Sequence, residues 1–314
     1  MAMEIDGVES TKEIKGLSVI ILTYNEAIHI ERCVKSLIQL TKEIFIVDSF
    51  STDNTVEIAQ SLGAKVVQHE FVNQAQQFNW ALENLPIQTE WVMRMDADEY
   101  LEAALQEELS EILPKLPAEI NGIYLKRKVF YAGKWIRYGG FYPHILLRIW
   151  RKGSGRCEQR WMDEHIVLEA GAKTITAKND FVDDNHKGMT FWIAKHNQYA
   201  SREAVDMLNQ KYGLFPVDNQ LLCQDNPQAK RKRKIKFGFY SKLPKDLRAF
   251  LYFLYRYLLR FGFLDGQRGF EWHFMQAFWY RLLVDIKIAE IEKESGGNIE
   301  EIKRILIEKH GLKI

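Results

Sequence analysis

The chain has 314 residues, of which 46% are hydrophobic, enough to build a sizeable core in one large domain or two. Forty-three Lys and Arg against 42 Asp and Glu leave a formal net charge of +1, which excludes a global electrostatic attraction to nucleic acid. Three scattered cysteines, Cys33, Cys157 and Cys223, argue against a disulfide framework or a zinc site and fit a reducing compartment, so a cytoplasmic location is expected.

Residues 1–16 carry Glu4, Asp6, Glu9 and Glu13 and no apolar core segment, and they read as a flexible lead-in rather than a secretory signal. From Leu17 to about Tyr100, short β-branched runs alternate with helical stretches. LSVIILTYN leads to a helix near Ala27 to Leu40, EIFIVDSF to a helix near Thr55 to Leu62, AKVVQHE to a helix near Ala75 to Leu85, and WVMRMDADEY follows. Strands apolar on both faces and separated by helices predict an α/β domain with a mostly parallel sheet and right-handed crossovers. Ligands of such a sheet gather at the carboxyl ends of its strands. Those ends hold Thr23, Asn25 and Glu26 after the first strand, Asp48 and Ser49 after the second, and Asp96 and Asp98 after the fourth.

After a helix near Glu102 to Leu113, Pro114 and Pro117 mark a break. Residues Gly122 to Ala177 are rich in aromatics, Gly and Arg, with pieces such as HILLRIW and HIVLEAG that would extend or flank the sheet. Beyond Met189 the pattern turns helical: FWIAKHNQYASREAVDMLNQ gives about five amphipathic turns. A polar loop, the run KRKRKIK at 230–236 and two aromatic-rich helices, roughly Lys245 to Phe261 and Gly269 to Lys293, complete the chain. The expected division is a lead-in (1–16), a catalytic domain (17–188) and a helical C-terminal region (189–314). The most apolar stretch, Ala249 to Leu264, is broken by Arg256 and Arg260 and is too short to span a bilayer. Arg248, Arg256 and Arg260 fall on one narrow strip of that helix and leave Phe250, Leu251, Phe253, Leu254 and Leu258 as an apolar surface. Such a helix can lie in a membrane interface with KRKRKIK near anionic lipid, or serve as core beside a solvated charge run.

The strongest local feature is Asp96-Ala-Asp98-Glu99 at the end of an apolar strand. Carboxylates so placed can share a hard divalent cation with phosphate oxygens, although so short a pattern also suits a solvated turn or a helix cap. The context is Thr23-Tyr-Asn-Glu26 and Asp48-Ser-Phe-Ser-Thr-Asp53-Asn-Thr55, where an acid at a strand end can accept hydrogen bonds from a base or a ribose. Singly, Asp53 or Thr55 suits an N-cap and Glu26 suits opposition to a helix dipole. Together, in order along one sheet edge, they are hard to explain as separate caps.

In this order and spacing, the TYNE, VDSFSTDNT and DADE segments resemble glycosyltransferase family 2, inverting enzymes with the GT-A fold, over roughly Leu17 to Ala177. The DEH segment and the aromatic tail with FLDG resemble a bacterial subset that builds lipopolysaccharide core or exopolysaccharide. The resemblance implies that Thr23, Asn25, Glu26 and Asp48 hold base and ribose, Asp96 the ribose or sugar, and Asp98 a Mn2+ or Mg2+ ion on the diphosphate. Relatives often carry a basic residue beside the Asn of the third helix; this chain has Gln76-Gln77-Phe78-Asn79 there, which implies a neutral hydrogen-bonding contact to the nucleotide from Gln76 and Asn79. The catalytic base would be Glu164 or its neighbour Asp163 in RWMDEHIV, with a surface ion pair to Arg156 or Arg160 as the plainer role. His186, in Asp183-Asp184-Asn185-His186-Lys187, would be a further metal ligand or only a loop residue, with Lys187 or Arg148 as a cationic companion to the diphosphate. The implied partners are a nucleotide-sugar donor, UDP-linked, and a saccharide or lipid-linked acceptor, at the inner face of the cytoplasmic membrane. A nucleotidyltransferase would need a glycine-rich loop after the first strand, which ILTYNEAIHIER lacks. A binding module that lost its chemistry is the non-enzymatic alternative.

Overall fold

The computed structural model describes residues 16–159, 164–216 and 244–310. Its first half is built on β1 (Leu17–Thr23), α1 (Ala27–Leu37), β2 (Glu43–Asp48), α2 (Thr55–Ser61), β3 (Lys65–Gln68), α3 (Gln74–Asn84) and β4 (Trp91–Asp96). Every residue of β1 except Leu22 is buried, and alternate side chains serve opposite faces. Leu17, Val19 and Ile21 pack with Ile30, Val34 and Leu37 of α1, whereas Ile20 packs with Phe78 of α3 and Trp150. A strand covered on both faces cannot carry the polar alternation of a solvated sheet, which is why these segments read as continuous apolar runs.

The remaining strands are β5 (Glu99–Leu101), β6 (Ile120–Tyr131), β7 (Lys134–Trp135), β8 (His144–Arg151), β9 (Gly155–Cys157), β10 (Ile166–Leu168) and β11 (Lys173–Asp184), with α4 (Ala103–Ile112) between β5 and β6. The large sheet runs β3-β2-β1-β4-β8-β6-β11-β5, with β7 paired to β6. Its first four strands are parallel, as the alternation predicts. β8 then inserts antiparallel between β4 and β6, so the sheet is mixed, and the strands after Gly122 extend it rather than form a second layer. β9 and β10 form a separate hairpin.

The register explains why the sequence collects its polar residues at one edge. Thr23 lies opposite Asp48 and Leu22 opposite Asp96, so the carboxyl ends of β2, β1 and β4 are level. β11 runs parallel to β6, and its last residues pair with β5 just after the DxD turn, Asp183 opposite Glu99. The second acidic run is thereby brought beside the first.

α5 (Gly188–Tyr212) follows at once and is longer than the five turns predicted, 25 residues ending at Gly213 in the left-handed conformation that a helix stop favours. α6 (Lys245–Leu254) continues as a π-helical turn, Tyr255–Leu259, and α7 (Gly266–His273) as another, Phe274–Trp279, leading into α8 (Tyr280–Ser295) and α9 (Ile299–His310). Ala200, Ala204 and Leu208 of α5, Val284 and Ile288 of α8 and Ile305 of α9 share a core of their own. Among the described residues no helix is long and apolar enough to cross a membrane.

The cations of α6 do not sit as expected. Arg248 is buried and donates from Nε to Asp285 Oδ2 at 2.7 Å, and Arg256 donates to the Gly139 carbonyl at 2.8 Å. Only Arg260 is exposed. Arg248 and Arg256 face inward because a buried carboxylate and a loop carbonyl are there to receive them, something helical periodicity does not encode. Residues 230–236 lie outside the described part.

Candidate active site

The loops after β1 and β2 brace each other. Thr23 Oγ1 donates to Asp48 Oδ1 at 2.8 Å, and Asp48, fully buried, also accepts from Ser51 N at 2.8 Å. Asn25 adopts a positive φ of 53°, tolerable for Asn, and accepts from Thr52 N at 2.7 Å while its own N donates to Ser51 Oγ at 2.8 Å. Asp53 caps a helix, but the helix is α1: its Oδ2 accepts from Ala27 N at 3.1 Å. Thr55 Oγ1 likewise accepts from Glu26 N, at 2.7 Å. The sequence suggested caps for the following helix, and Asp53 Oδ1 does accept from Thr55 N at 3.1 Å; both side chains also reach across to the preceding helix.

Two cavities open along the edge that these loops form. The first, about 730 Å3, is lined by Thr23, Glu26, Asp96, Asp98, Arg148 and Glu164 among others. The second, about 920 Å3, shares Asp96 and Asp98 and continues past Asp183 and His186 to an aromatic wall that includes Trp192 and Trp272. Glu26, Asp96 and Asp98 therefore face a common space, with Asp48 beneath it holding Thr23. Asn25 lines neither cavity and acts through the loops. Gln76 is exposed away from both, and Asn79 uses its amide on the backbone of Cys157, donating from Nδ2 at 2.9 Å and accepting at 2.8 Å. Neither lines a cavity where the nucleotide contact was expected: Asn79 is turned toward β9, and Gln76 faces outward.

The two acids of the DxD turn are held differently. Asp96 lies between Arg94 (3.5 Å) and Arg148 (3.6 Å). Burial alone would raise its pKa, but Arg94, then Arg148 and Arg127, hold the carboxyl well below the usual range, so it is an anion at any working pH. Glu99 Oε2 accepts from Asp96 N at 2.9 Å, and its other oxygen pairs with Arg148 at 2.5 Å. Asp98 accepts from Asn185 Nδ2 at 2.9 Å, and its carbonyl accepts from Asp184 N at 3.1 Å and Arg32 Nη2 at 3.3 Å. Burial pushes Asp183 up to about 6, with Asp98 adding to the shift and Arg127, 3.1 Å away, opposing it.

Among the described residues no group of three or more His, Cys, Asp or Glu is arranged as a metal cage. A hard divalent ion on a diphosphate takes one or two carboxylates and completes its shell with phosphate oxygens and water. Asp98, open to both cavities, and Asp96 Oδ1, a buried oxygen that accepts no hydrogen bond from the described residues, fit that partial donor set. His186 is engaged otherwise: Nε2 lies 2.7 Å from Asp184 Oδ2, and its backbone N donates to His29 Nε2 at 2.8 Å. Glu26 is spanned by His29 Nδ1 at 2.7 Å and Lys187 Nζ at 2.6 Å. Glu164 lies 3.4 Å from Arg94, and Asp163 and Arg160 lie outside the described residues.

α5 supplies what the sequence reading missed. Lys195 and Tyr199 line both cavities, Gln198 and Arg202 the first, and Met189 and His196 the second, so one helix is the partition. Burial would lower the Lys195 ammonium, yet Tyr199, Asp98, Asp183 and Glu26 together hold it above its ordinary value. It makes no ion pair within 4 Å among the described residues, while Arg94, Arg127 and Arg148 all do. The only sequence signal was Phe191-Lys195-Tyr199 at helical spacing, indistinguishable from a polar face of an amphipathic helix.

A family model described as glycosyl transferase family 2 matches residues 18–162. The lipopolysaccharide core biosynthesis glycosyltransferase LpsC of Rhizobium meliloti is 33% identical over 193 residues, 60% of this chain and 70% of that protein. The chain belongs to glycosyltransferase family 2. An uncharacterized glycosyltransferase of Rickettsia bellii is 43% identical over 98 residues, 31% of this chain, so the chain spans about a third (33%) of that relative's length. Among solved structures, a mannosyltransferase from Pyrobaculum calidifontis, in complex with GDP-Man and Mn2+, aligns over 89% of this chain and 88% of its own, with a TM-score of 0.48 and 16% identity. Within family 2 the sheet edge just described, with DxD at the end of β4, is the GT-A arrangement that the sequence predicted.

Proposed function

We propose that this family 2 chain is an inverting glycosyltransferase that holds a nucleoside diphosphate sugar, UDP-linked, in the first cavity and an acceptor hydroxyl in the second. The reading rests on one observation: Asp96 and Asp98 line both cavities, so the two meet at a pair of carboxylates. The acceptor oxygen forms a bond to the anomeric carbon, and the bond from that carbon to the diphosphate breaks, its electron pair leaving with phosphate. The hydroxyl proton passes to a carboxylate. Asp98 with Asp96 would hold Mn2+ or Mg2+, which when bound offsets charge on the departing diphosphate. Lys195, a cation at the junction with no ion-pair partner among the described residues, would face the same charge.

Glu164, with Asp163 beside it, is the base that the family resemblance implies, and it shares Arg94 with Asp96. One observation favours a second candidate. Asp183 lines the second cavity, where the acceptor would stand, and its carboxyl is pushed to about 6, near the value a base requires. Replacing Glu164 by Gln and Asp183 by Asn in separate variants assigns the role, since only the true base variant loses turnover while keeping donor binding.

The similarity to LpsC supports a saccharide or lipid-linked acceptor in bacterial envelope polysaccharide synthesis. The division into a catalytic domain at 17–188 and a helical region at 189–314 is kept in this reading with one change of role, since α5 walls the site. Thermal shift with UDP, GDP and CDP, each with Mn2+ or with chelator, tests the donor: UDP with Mn2+ should raise the midpoint most. An equal response under chelation, or a full response in Asp98→Ala, would sink the metal and donor assignments. Loss of UDP-sugar turnover in Asp98→Ala excludes a merely binding module.

A further inference from the structure

The turn between the π-helical segment after α6 and the start of α7 carries large apolar side chains that the fold leaves uncovered. Leu259 is 70% exposed, Phe261 57% and Leu264 53%, with Leu258 and Phe263 beside them. Soluble monomers rarely keep so contiguous an apolar surface unless it binds something. Phe261 moreover holds φ at 61°, a left-handed backbone that bulky residues seldom adopt. The apolar band continues along Phe250 and Tyr255 on one side and Phe270 and Phe274 on the other.

This tip is firmly mounted. Asp265 Oδ2 accepts from Arg137 N at 3.1 Å and Tyr138 N at 2.9 Å, Lys134 Nζ donates to the Asp265 carbonyl at 2.6 Å, and Gly139 N donates to the Arg260 carbonyl at 2.9 Å. Beneath the band, the Tyr257 ring lies 5.6 Å from Phe270 and that of Phe253 6.2 Å from Phe274. The hydrophobic surface is thus displayed on a rigid base tied to β7 and the β7–β8 loop of the sheet.

Charge decides the occupant. Arg137 and Arg260 are exposed at the tip and pair with no acid among the described residues; Arg137 lies over the rings of Trp135 and Tyr138. Unneutralised guanidinium groups around exposed aromatic and aliphatic side chains match an interface of anionic headgroups over acyl chains better than a second copy of the same cationic rim. Phe270 and Phe274 also line the second cavity, so the band and that cavity share two side chains. We infer that the 255–274 tip inserts into the interfacial layer of a bilayer containing anionic lipid and sets the second cavity against the membrane surface. The inference rests on this surface alone and fails independently of the glycosyl-transfer reading.

Sedimentation of the full chain with vesicles of phosphatidylcholine, alone or mixed with phosphatidylglycerol, tests it. The chain should pellet with the mixed vesicles, less so at high salt. The double variant Leu259→Ser/Phe261→Ser should bind at least roughly tenfold more weakly, since it loses two inserted apolar groups. Arg137→Gln/Arg260→Gln should lose the preference for phosphatidylglycerol. Both variants should keep the wild-type far-UV spectrum and urea midpoint, which shows that they fold. The proposal is overturned if the wild type stays in the supernatant with both vesicle types. It is equally overturned if Leu259→Ser/Phe261→Ser pellets like the wild type, or if size exclusion shows a wild-type dimer that this variant breaks while no vesicle binding occurs.

Discussion

Asn185 Nδ2 donates to Asp98 Oδ2 at 2.9 Å, so the end of β11 orients the second acid of the DxD turn at the end of β4. Residues that fix a ligating carboxylate matter nearly as much as the ligand. Asn185→Ala should weaken the Mn2+-dependent part of the UDP response about 10- to 100-fold in affinity, with UDP binding under chelation unchanged. Metal titration followed by thermal shift measures both.

Lys195 stands at the junction of the cavities and makes no ion pair within 4 Å among the described residues. Lys195→Met keeps the length of the stem and removes the charge. Turnover of UDP-sugar should fall by about 10²- to 10³-fold, mainly in kcat, because the charge on the diphosphate grows in the transition state. An effect confined to KM would place the ammonium on the ground-state donor instead.

His196 predicts a pH dependence of stability. Its ring stacks on Trp192 at 3.5 Å, Nδ1 donates to the Trp192 carbonyl at 2.8 Å, and Nε2 accepts from Gln276 at 2.8 Å. Burial pushes the imidazole down to about 4, the bond to Trp192 opposing and Lys195 adding to the shift. The unfolded chain takes up this proton near 6.5, the folded one only near 4. The contribution of the neutral ring is therefore whole above pH 6.5 and is lost as pH falls toward 4. His196→Gln should flatten that part of a curve of unfolding midpoint against pH.

The pair Arg248 and Asp285, both nearly inaccessible, ties α6 to α8. Arg248→Ala leaves a carboxylate buried without its partner and should cost about 3–5 kcal/mol in urea unfolding. Replacing both by Met should cost less than the single change.

The sheet edge was legible because buried parallel strands write their boundaries as apolar runs, and the acids that end them stand out. Thr23, Glu26, Asp48, Asp96 and Asp98 are gathered at one place for that reason. The placements of Asn79 and Gln76 were not legible, since nothing in the α3 sequence tells that Asn79 turns toward β9 and Gln76 outward. Asp183, Arg94 and Lys195 depend on long-range pairing: β11 reaches β5 only through a crossover, and α5 closes over the edge from more than 90 positions beyond the DxD turn. The same holds for Arg248, whose inward course requires Asp285 to be known.

A single helix wall has a mechanical consequence. Phe191, Lys195 and Tyr199 present their side chains to the two chambers at once, so a roll or tilt of α5 that widens one must reshape the other. Under the proposed function, donor entry and acceptor entry would then not be separable events: filling one compartment would set the shape that the second guest encounters, and an ordered sequence of arrivals is the kinetic signature expected of such a shared partition.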